Sequence, residues 1–357
     1  MSKRKAEPDP PVLRARQPGN SKQGVAAHSD FTCSDAIDHP DSNWNRAVSQ
    51  TAQADPFCCR TEWQLSFHEA MQPGRKLVVR ETPGSVIAFA ENRHPYLGLL
   101  FEPIESGWMF GCPVLGPGAV DLLEDLVSEI ESKSTRGRVR PVIVISGLRP
   151  RGKLQREITG RFSRRFNFQP AGSSVLCNAS LTGGFDGYLS RRSSSLRRGL
   201  RKQARRAGMS GVTFERQVPT SRAGAAEIYA RMLAVEASSW KGLGNCGMAE
   251  QPSRDYYACM LRRLAVSGNG RVIFARHDER DIGFIFGGLA GKVYRGQQFS
   301  YAVDWQAASI GNLMQLEQVR WLCEEGATRY DMGPLMDYKR HWTENKAVVE
   351  TRVLMRK

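Results

Sequence analysis

The stretch that most constrains the fold of this chain is residues 271–346, where four strand-like runs and one helix-like segment follow one another closely. The strand-like runs cover residues 271–276, 282–286, 293–301 and 329–332. A helix is predicted over residues 312–325, because apolar residues recur there three or four positions apart. Strands that lead through a helix into another buried strand are typical of α/β proteins. The sequence therefore predicts an α/β fold with a mixed sheet.

The turn that opens this helix is a candidate anion-binding site. Ser309 is expected to cap the helix, and Gly311 leaves the main chain accessible. The first backbone N–H groups of a helix have no partner within it and lie at the positive end of its dipole. The candidate binding residues are Ser309, Ile310, Gly311, Asn312 and Leu313. An ordinary capped helix explains the same residues, so both interpretations stay open.

Two carboxylates occupy positions that favour chemistry. Glu236 lies on one predicted helix stripe with Tyr229 and Trp240, and a carboxylate so placed is either paired or a candidate general base. Asp331 ends a strand-like run, and the sites of α/β proteins are built at strand ends. The alternatives are an ion pair between Glu236 and Lys241, and a turn-capping role for Asp331.

The net charge of +15 is concentrated in one segment of the chain. Residues 133–206 hold nineteen Lys and Arg against two acids, a net of +17. Within this segment a helix is predicted over residues 187–208, with one apolar stripe and eight basic residues on its other faces. A localised basic field implies an anionic partner, with Arg197 and Arg201 as candidate contacts. A solvated face on a docking helix is the alternative.

Composition divides the chain into four segments. The predicted segments are a disordered polar tail (1–58), an N-terminal α/β half (59–180), a basic connecting helix (181–210) and a C-terminal domain (211–357).

Several classes of protein are disfavoured by the sequence. The eight cysteines show no CxxC pair and no histidine at metal-ligand distance, which argues against a metal site and favours reduced thiols in the cytoplasm. The first residues lack the apolar region of a secretory signal, and no run approaches the roughly 18 apolar residues of a membrane span. We therefore expect a cytoplasmic protein without a membrane span.

Three motifs carry a family resemblance. They are residues 236–242 (EASSWKG), residues 309–311 (SIG) at the start of a helix, and residues 330–333 (YDMG) followed by Tyr338-Lys339. With them the chain resembles the acyltransferases of the GNAT superfamily, and more narrowly the CelD-like family associated with bacterial cellulose and exopolysaccharide biosynthesis. The resemblance covers roughly residues 60–357.

The resemblance implies two GNAT-like halves in tandem, as in the Fem-type transferases, with acyl-CoA (acetyl-CoA or longer) as co-substrate and no metal. The pyrophosphate of CoA would lie on residues 309–313. The catalytic candidates are Glu236, Asp331 and Tyr338, of which Tyr338 would protonate the leaving thiolate. The substrate-binding candidates are Trp240, Lys241, Lys339, Arg197 and Arg201, of which Lys339 would hold a phosphate or carboxylate.

The sequence leaves three functions open. The first is an N-acyltransferase that moves an acyl group from acyl-CoA to an amine or hydroxyl of an anionic or saccharide-linked acceptor. The second is a Fem-like transferase that uses aminoacyl-tRNA, favoured by the tandem architecture and the basic helix. The third is a degenerate GNAT half that binds RNA or a protein partner without catalysis, favoured by the single glycine in residues 309–313.

Overall fold

The computed structural model describes residues 42–133 and 140–357, and the first part of the chain forms a half built on five strands. The helices of this half are α1 (Asn43–Gln50), α2 (Thr61–Met71), α3 (Ala119–Lys133) and α4 (Lys153–Phe162). Its strands are β1 (Lys76–Thr82), β2 (Ser85–His94), β3 (Gly98–Glu102), β4 (Val114–Leu115) and β5 (Val142–Leu148). The long strand β6 (Phe166–Ser180) follows and leads out of this half.

Two helices connect β6 to the second half: α5 (Gly184–Ser190) and α6 (Ser194–Met209). The helices of the second half are α7 (Arg222–Ala237), α8 (Trp240–Leu243), α9 (Ser253–Ser267) and α10 (Ile310–Glu324). Its strands are β7 (Val212–Gln217), β8 (Gly270–His277), β9 (Arg280–Ala290), β10 (Val293–Tyr301), β11 (Arg329–Pro334) and β12 (Asn345–Arg356). Short 3₁₀ helices cover Val303–Ala308 and Asp337–His341.

The strands of the described residues join in one twelve-stranded mixed sheet, which confirms the predicted α/β class. The strand order is β1-β2-β3-β5-β12-β6-β11-β10-β9-β8-β7, and β4 pairs with β2 at the side. The two halves exchange their last strands: β6 pairs with β11 of the second half, and β12 pairs with β5 of the first. Because β6 and β12 also pair with each other along their length, the sheet runs through both halves without a gap.

The sheet of the second half is covered on both faces. Along β8, Val272 and Phe274 enter a core formed with α2, α7 and α9, whereas Ile273 and Ala275 enter a core formed with α6 and α10. Alternate residues of a strand point to opposite faces, so a strand that is covered twice is apolar throughout. The core on the α2 side includes residues of both halves.

The predicted disordered tail is wrong for residues 42–58. Ser42 caps α1, where its side chain accepts a hydrogen bond from the N–H of Asn45. Trp44 and Cys58 are buried, and Phe57 packs so closely on β9 that a Cβ on Gly288 would approach one of its ring carbons within 2.3 Å. A few large apolar side chains anchor this polar segment, which average composition does not reveal. Residues 1–41 of the predicted tail lie outside the described residues.

The single basic helix predicted over residues 187–208 is interrupted. The chain leaves helical geometry at Arg191 and Arg192, and Ser193 then caps α6 by accepting a hydrogen bond from the N–H of Leu196. A serine is better placed at a helix N-terminus than within a helix. The domain boundaries predicted at residues 180 and 210 stay expectations. The end of β6 at Ser180 pairs with β11 and so lies inside the sheet of the second half.

Candidate functional site

The site begins where two parallel strands separate. β10 and β11 pair only from Val293–Arg329 to Arg295–Asp331. Beyond that point β10 continues against β9 as far as Tyr301, whereas β11 stays with β6 as far as Pro334. A bulge between Gly296 and Gln298 increases the separation, because an extra residue bends its strand. One edge of β10 therefore has no strand partner among the described residues beyond Arg295.

A cavity of about 190 Å³ fills the gap between the strands. β10 and β11 supply one part of its wall, and Tyr338 and Lys339 of the following 3₁₀ helix supply another. The first half closes it with three aromatic side chains, Trp63, Trp108 and Phe110. Cavities of this kind, mostly apolar with a few polar groups, are the usual form of small-molecule sites.

A buried ion pair ties the first half to β10 beside the cavity. The Nε of Arg295 donates to the Oδ2 of Asp55 over 2.7 Å, and both side chains are at most 5% exposed. Asp55 also accepts hydrogen bonds from the N–H and the Sγ of Cys58, both over 3.2 Å. The guanidinium of Arg295 occupies the space that a Cβ on Gly333 would need, which places it between β10 and β11.

Tyr338 and Lys339 are the predicted site residues that line the cavity. Tyr338 is 46% exposed, and partial desolvation raises the pKa of its hydroxyl above the ordinary value, so the hydroxyl stays protonated at neutral pH. Burial, reinforced by the charge of Arg295, lowers the pKa of Lys339 to about 8. The Nζ of Lys339 donates to the carbonyl of Pro334 over 2.8 Å. Both side chains can therefore act as proton donors near neutral pH.

Glu236 is connected to the cavity through a chain of polar side chains. Its Oε1 accepts from the N–H of Met248 over 2.9 Å and lies 3.8 Å from the Nζ of Lys241. Lys241 donates to the Oε1 of Gln298 over 3.1 Å, and Gln298 donates to the hydroxyl of Tyr257 over 2.7 Å. Gln298 and Tyr257 line the cavity. The predicted ion pair between Glu236 and Lys241 is present, and Glu236 acts on the cavity wall only through its neighbours.

The other oxygen of Glu236, Oε2, is buried and has no hydrogen-bond partner among the described residues. The helix stripe predicted for Glu236 ends before Trp240, because α7 stops at Ala237. Ser239 then caps α8 by accepting from the N–H of Gly242, and Trp240 at its start is 62% exposed. Trp240 and Lys241 do not line the cavity in the described part of the chain.

Asp331 does not line the cavity, although its neighbours Tyr330 and Met332 and its register partner Arg295 do. Arg329 binds both of its oxygens over 2.8 Å. Burial and the nearby charge of Asp55 raise the pKa of Asp331 to about 6, although Arg329 partly opposes this shift. Of the predicted site residues Glu236, Asp331, Tyr338 and Lys339, the cavity thus brings together Tyr338 and Lys339.

Helix α10, which follows β10, begins with N–H groups that have no acceptor in the described residues, but Ser309 does not cap the helix as predicted. Ser309 has a left-handed backbone (φ +57°) and its side chain makes no capping bond. The N–H groups of Asn312 and Leu313 bond to the carbonyl of Ser309, whereas those of Ile310 and Gly311 have no acceptor in the described residues. Ile310 and Leu313 are buried, so their side chains hold the helix in the core. The polar groups left at this turn include the main-chain N–H groups of Ile310 and Gly311 and the exposed side chain of Asn312.

The corresponding turn of the first half is filled by protein groups. There β3 and β5 are also parallel, and α3 crosses between them. The N–H of Gly116 bonds to the hydroxyl of Thr51, and the N–H of Gly118 bonds to the hydroxyl of Ser85. Side chains thus occupy donors that stay free at α10. The comparison favours the second half as the half that binds a ligand in this way.

The basic helix α6 carries cations without partners. Six basic side chains of this helix form no ion pair within the described residues. They are Arg197, Arg198, Arg201, Lys202, Arg205 and Arg206. Arg191 and Arg192 before the helix share Glu344 instead. Arg197 is half-buried and Arg201 is exposed, and neither lines the cavity in this part of the structure. Their role in binding an acceptor stays a prediction.

Sequence reasoning missed the cavity residues that come from other parts of the chain. Arg295 lies in an apolar strand, and an arginine within such a strand signals a buried partner. The aromatic residues Trp63, Trp108 and Phe110 have no local pattern that marks them, because they reach the cavity only through the packing of the first half on the second.

Comparison with known proteins identifies the class of domain in the second half. Residues 194–340 match a family model described as an acetyltransferase (GNAT) domain. This part of the chain, which includes the separated strands and α10, therefore contains a GNAT acetyltransferase domain. None of the curated proteins that were compared matches the sequence.

Solved structures with low sequence identity share the fold of nearly the whole chain. FemX has a TM-score of 0.62 at 12% identity, with 87% of this chain and 95% of that chain covered. A conserved protein of unknown function from Bacteroides thetaiotaomicron has a TM-score of 0.57 at 9% identity, with 88% and 97% covered. The C-terminal domain of a putative lysylphosphatidylglycerol synthetase from Agrobacterium fabrum has a TM-score of 0.53 at 13% identity, with 88% and 91% covered. These similarities show the fold.

The described residues were also compared with the requirements of a membrane span and of a metal site. No helix among them is long and apolar enough to cross a membrane. No group of three or more His, Cys, Asp or Glu side chains within them is arranged to hold a metal ion.

Proposed function

We propose that this protein is an acyltransferase that moves an acyl group from acyl-CoA to an amine or hydroxyl of an anionic or saccharide-linked acceptor. The observation that carries the proposal is the free edge of β10, which runs along the cavity towards the two free N–H groups at the start of α10. Acyl-CoA has an extended arm with amide groups and a pyrophosphate, and an open strand edge next to a helix N-terminus suits both.

In the proposed complex the amides of the pantetheine arm pair with the edge of β10 beyond Gly296. The pyrophosphate oxygens accept from the N–H groups of Ile310 and Gly311, where the helix dipole is positive. The thioester then lies in the cavity beside Tyr338. This arrangement uses the second half alone for the donor, which agrees with the filled turn at Gly116 and Gly118 in the first half.

The reaction needs an acceptor that attacks the thioester carbonyl and an acid that protonates the thiolate as the C–S bond breaks. Tyr338 is the proposed acid, because it lines the cavity and stays protonated. The catalytic role predicted for Glu236 and Asp331 stays a prediction. We propose that Glu236 positions Gln298 through Lys241, and that Asp331 positions Arg329.

A Fem-like transferase that uses aminoacyl-tRNA is the second candidate. The six unpaired cations of α6 favour it, because contacts between basic side chains and phosphates dominate the affinity of proteins for nucleic acid. The similarity to FemX shows the fold and does not distinguish the two donors. The acyl-CoA proposal also includes the CelD-like resemblance, a role in exopolysaccharide or cell-envelope biosynthesis, and a cytoplasmic location.

Calorimetry with acetyl-CoA on a matched pair of glycine variants tests the donor site. A Cβ on Gly311 would lie 3.1 Å from a ring carbon of Tyr301 and next to the proposed phosphate contact. We expect Gly311→Ala to weaken acetyl-CoA binding at least tenfold, and the larger Gly311→Val to abolish it. Gly199→Ala on α6 is the control, because a Cβ there meets nothing within 4 Å.

The thermal midpoint of each variant separates a lost contact from a damaged fold. Equal affinity of Gly311→Ala and the parent would contradict the pyrophosphate site. Binding of charged tRNA without binding of acetyl-CoA would favour the second candidate. Release of free thiol from acetyl-CoA in the presence of an amine panel then tests the transfer itself.

A further inference from the structure

Lys339 is a buried cation without a counter-ion. The residue is 8% exposed, and the one hydrogen bond of its Nζ goes to the carbonyl of Pro334. No carboxylate of the described residues lies within 4.0 Å of it, whereas Arg295 on the same cavity wall is paired with Asp55. Removing an ammonium group from water is costly unless a negative charge compensates it. The cavity thus contains one positive charge that the protein does not neutralise.

The other residues of the cavity wall do not neutralise the charge of Lys339. None of the residues that line the cavity is acidic, and the first half contributes the aromatic wall of Trp63, Trp108 and Phe110. A ligand that complements both features has one negative charge and a compact apolar group. The cavity volume of about 190 Å³ lies below the ~300–1,000 Å³ of typical ligand pockets, which suits a small ligand.

We propose that the acceptor is a small amino carboxylate, whose carboxylate pairs with Lys339 and whose apolar or aromatic side chain packs against the wall of the first half. The inference rests on the proposed acyl transfer and names the acceptor that the same cavity takes. The amine of such a molecule attacks the thioester carbon, a new C–N bond replaces the C–S bond, and Tyr338 supplies the proton to the thiolate. The ammonium group of the acceptor loses one proton to solvent before the attack and a second after it, and Tyr338 regains its proton from solvent.

The charge of the ligand favours a carboxylate over a phosphate. A phosphate monoester carries a charge of about −1.5 to −2 at pH 7, so that one ammonium group would leave part of this charge uncompensated in an apolar cavity. The pyrophosphate of the donor is accommodated elsewhere, at the start of α10. A single carboxylate matches a single lysine.

The pairing has a pH dependence that follows from the surroundings of Lys339. The groups that face it are Arg295 of β10, Cys177 of β6 and Tyr338 of its own 3₁₀ helix. Burial lowers the pKa of Lys339 to about 8 in the free protein, so the ammonium form decreases above that pH. A bound carboxylate stabilises the charged form, and its affinity therefore decreases as the pH rises above about 8.

Acyl transfer from acetyl-CoA to phenylalanine and to phenylalaninamide tests the proposal, because the two acceptors differ in the carboxylate. We expect the parent to prefer phenylalanine at least tenfold in kcat/KM. Lys339→Met keeps a side chain of similar length and should lower this ratio at least tenfold, with the larger change in KM. Lys292→Met, at an exposed turn, is the control and should keep the parent ratio.

A binding measurement makes the test independent of turnover. Calorimetry with N-acetylphenylalanine and its amide should show preference for the acid at pH 7, loss of that preference at pH 9.5, and loss in Lys339→Met at both pH values. A parent that does not discriminate between acid and amide, or a Lys339→Met variant that keeps the preference, overturns the inference. Failure of acyl transfer with every amine, together with the expected binding result, contradicts the proposed function and leaves the carboxylate site supported.

Discussion

Asp55→Ala should destabilise the protein far more than an ordinary surface substitution, although the sequence places Asp55 in a tail. The carboxylate lies 2.7 Å from the Nε of Arg295, and the two side chains are 1% and 5% exposed. Removing one member of a buried ion pair leaves the other charge uncompensated and typically costs about 3–5 kcal/mol. The variant also loses the two hydrogen bonds that Cys58 donates to Asp55.

The expected change in thermal midpoint follows from the size of the chain. At about 2.1 cal/mol/K per residue, the unfolding entropy of a 357-residue chain is roughly 0.7 kcal/mol/K. A loss of about 3–5 kcal/mol then lowers the midpoint by roughly 4–7 °C. Thermal unfolding followed by circular dichroism and urea unfolding at 25 °C measure the two quantities independently.

A matched pair on the surface provides the control. Asp337 pairs with Arg340 over 2.9 Å, but its side chain is 91% exposed. Pairs of this kind contribute little, so Asp337→Ala should leave the midpoint nearly unchanged. The double variant Asp55→Leu with Arg295→Met should recover much of the lost stability, because apolar groups can replace a buried ion pair. If Asp55→Ala is no less stable than Asp337→Ala, residues 42–58 do not dock on β10 as described.

Three further results are expected. Lys339→Met should raise stability at pH 7, because the lowered pKa of about 8 against 10.5 unfolded corresponds to a penalty of about 3 kcal/mol, partly offset by the lost bond to Pro334. At Lys339 the unfolded chain binds more protons between these values, so the stability difference between Lys339→Met and the parent should narrow as the pH rises from about 8 to 10.5 in urea titrations. A chain that begins at residue 59 should unfold at a much lower temperature than the parent, since it lacks the buried Trp44 and Phe57; an equal midpoint would contradict their role in the core. Replacement by Gln of four cations on α6 should leave the thermal midpoint unchanged and, if tRNA binds, reduce the slope of log affinity against log salt; an unchanged slope excludes this helix as the contact. The four are Arg197, Arg198, Arg201 and Lys202.

Local patterns of the sequence determined much of the second half. The periodicity of apolar residues placed α10 within two residues of its observed start, and the strand-like runs correspond to β8, β9, β10 and β11. These elements follow from spacing along the chain, because a buried strand or helix stripe repeats with the period of its own backbone. The placement of Tyr338 and Lys339 after β11 was also local, and both residues line the cavity.

Other features depend on contacts between residues distant in sequence. The surroundings of Asp331 depend on the register of β10 and β6 beside it: its register partner Arg295 lines the cavity, whereas Asp331 itself does not. A shift of one residue in register would exchange the two faces of a strand, so a strand-end position alone cannot show which residues face the cavity. The break before α6 depended on Arg191 and Arg192 pairing with Glu344, more than 150 positions away in the sequence.

What the sequence alone determined about this protein is the mixed α/β class, the order of elements in the second half and the basic segment. Tertiary structure alone decided the exchange of β6 and β12, the ion pair of Arg295 with Asp55, and the aromatic wall that the first half adds to the cavity. The physical reason is that propensity and periodicity act over a few neighbouring residues. Strand exchange, buried charge pairing and cavity closure are properties of surfaces that meet only after the chain has folded.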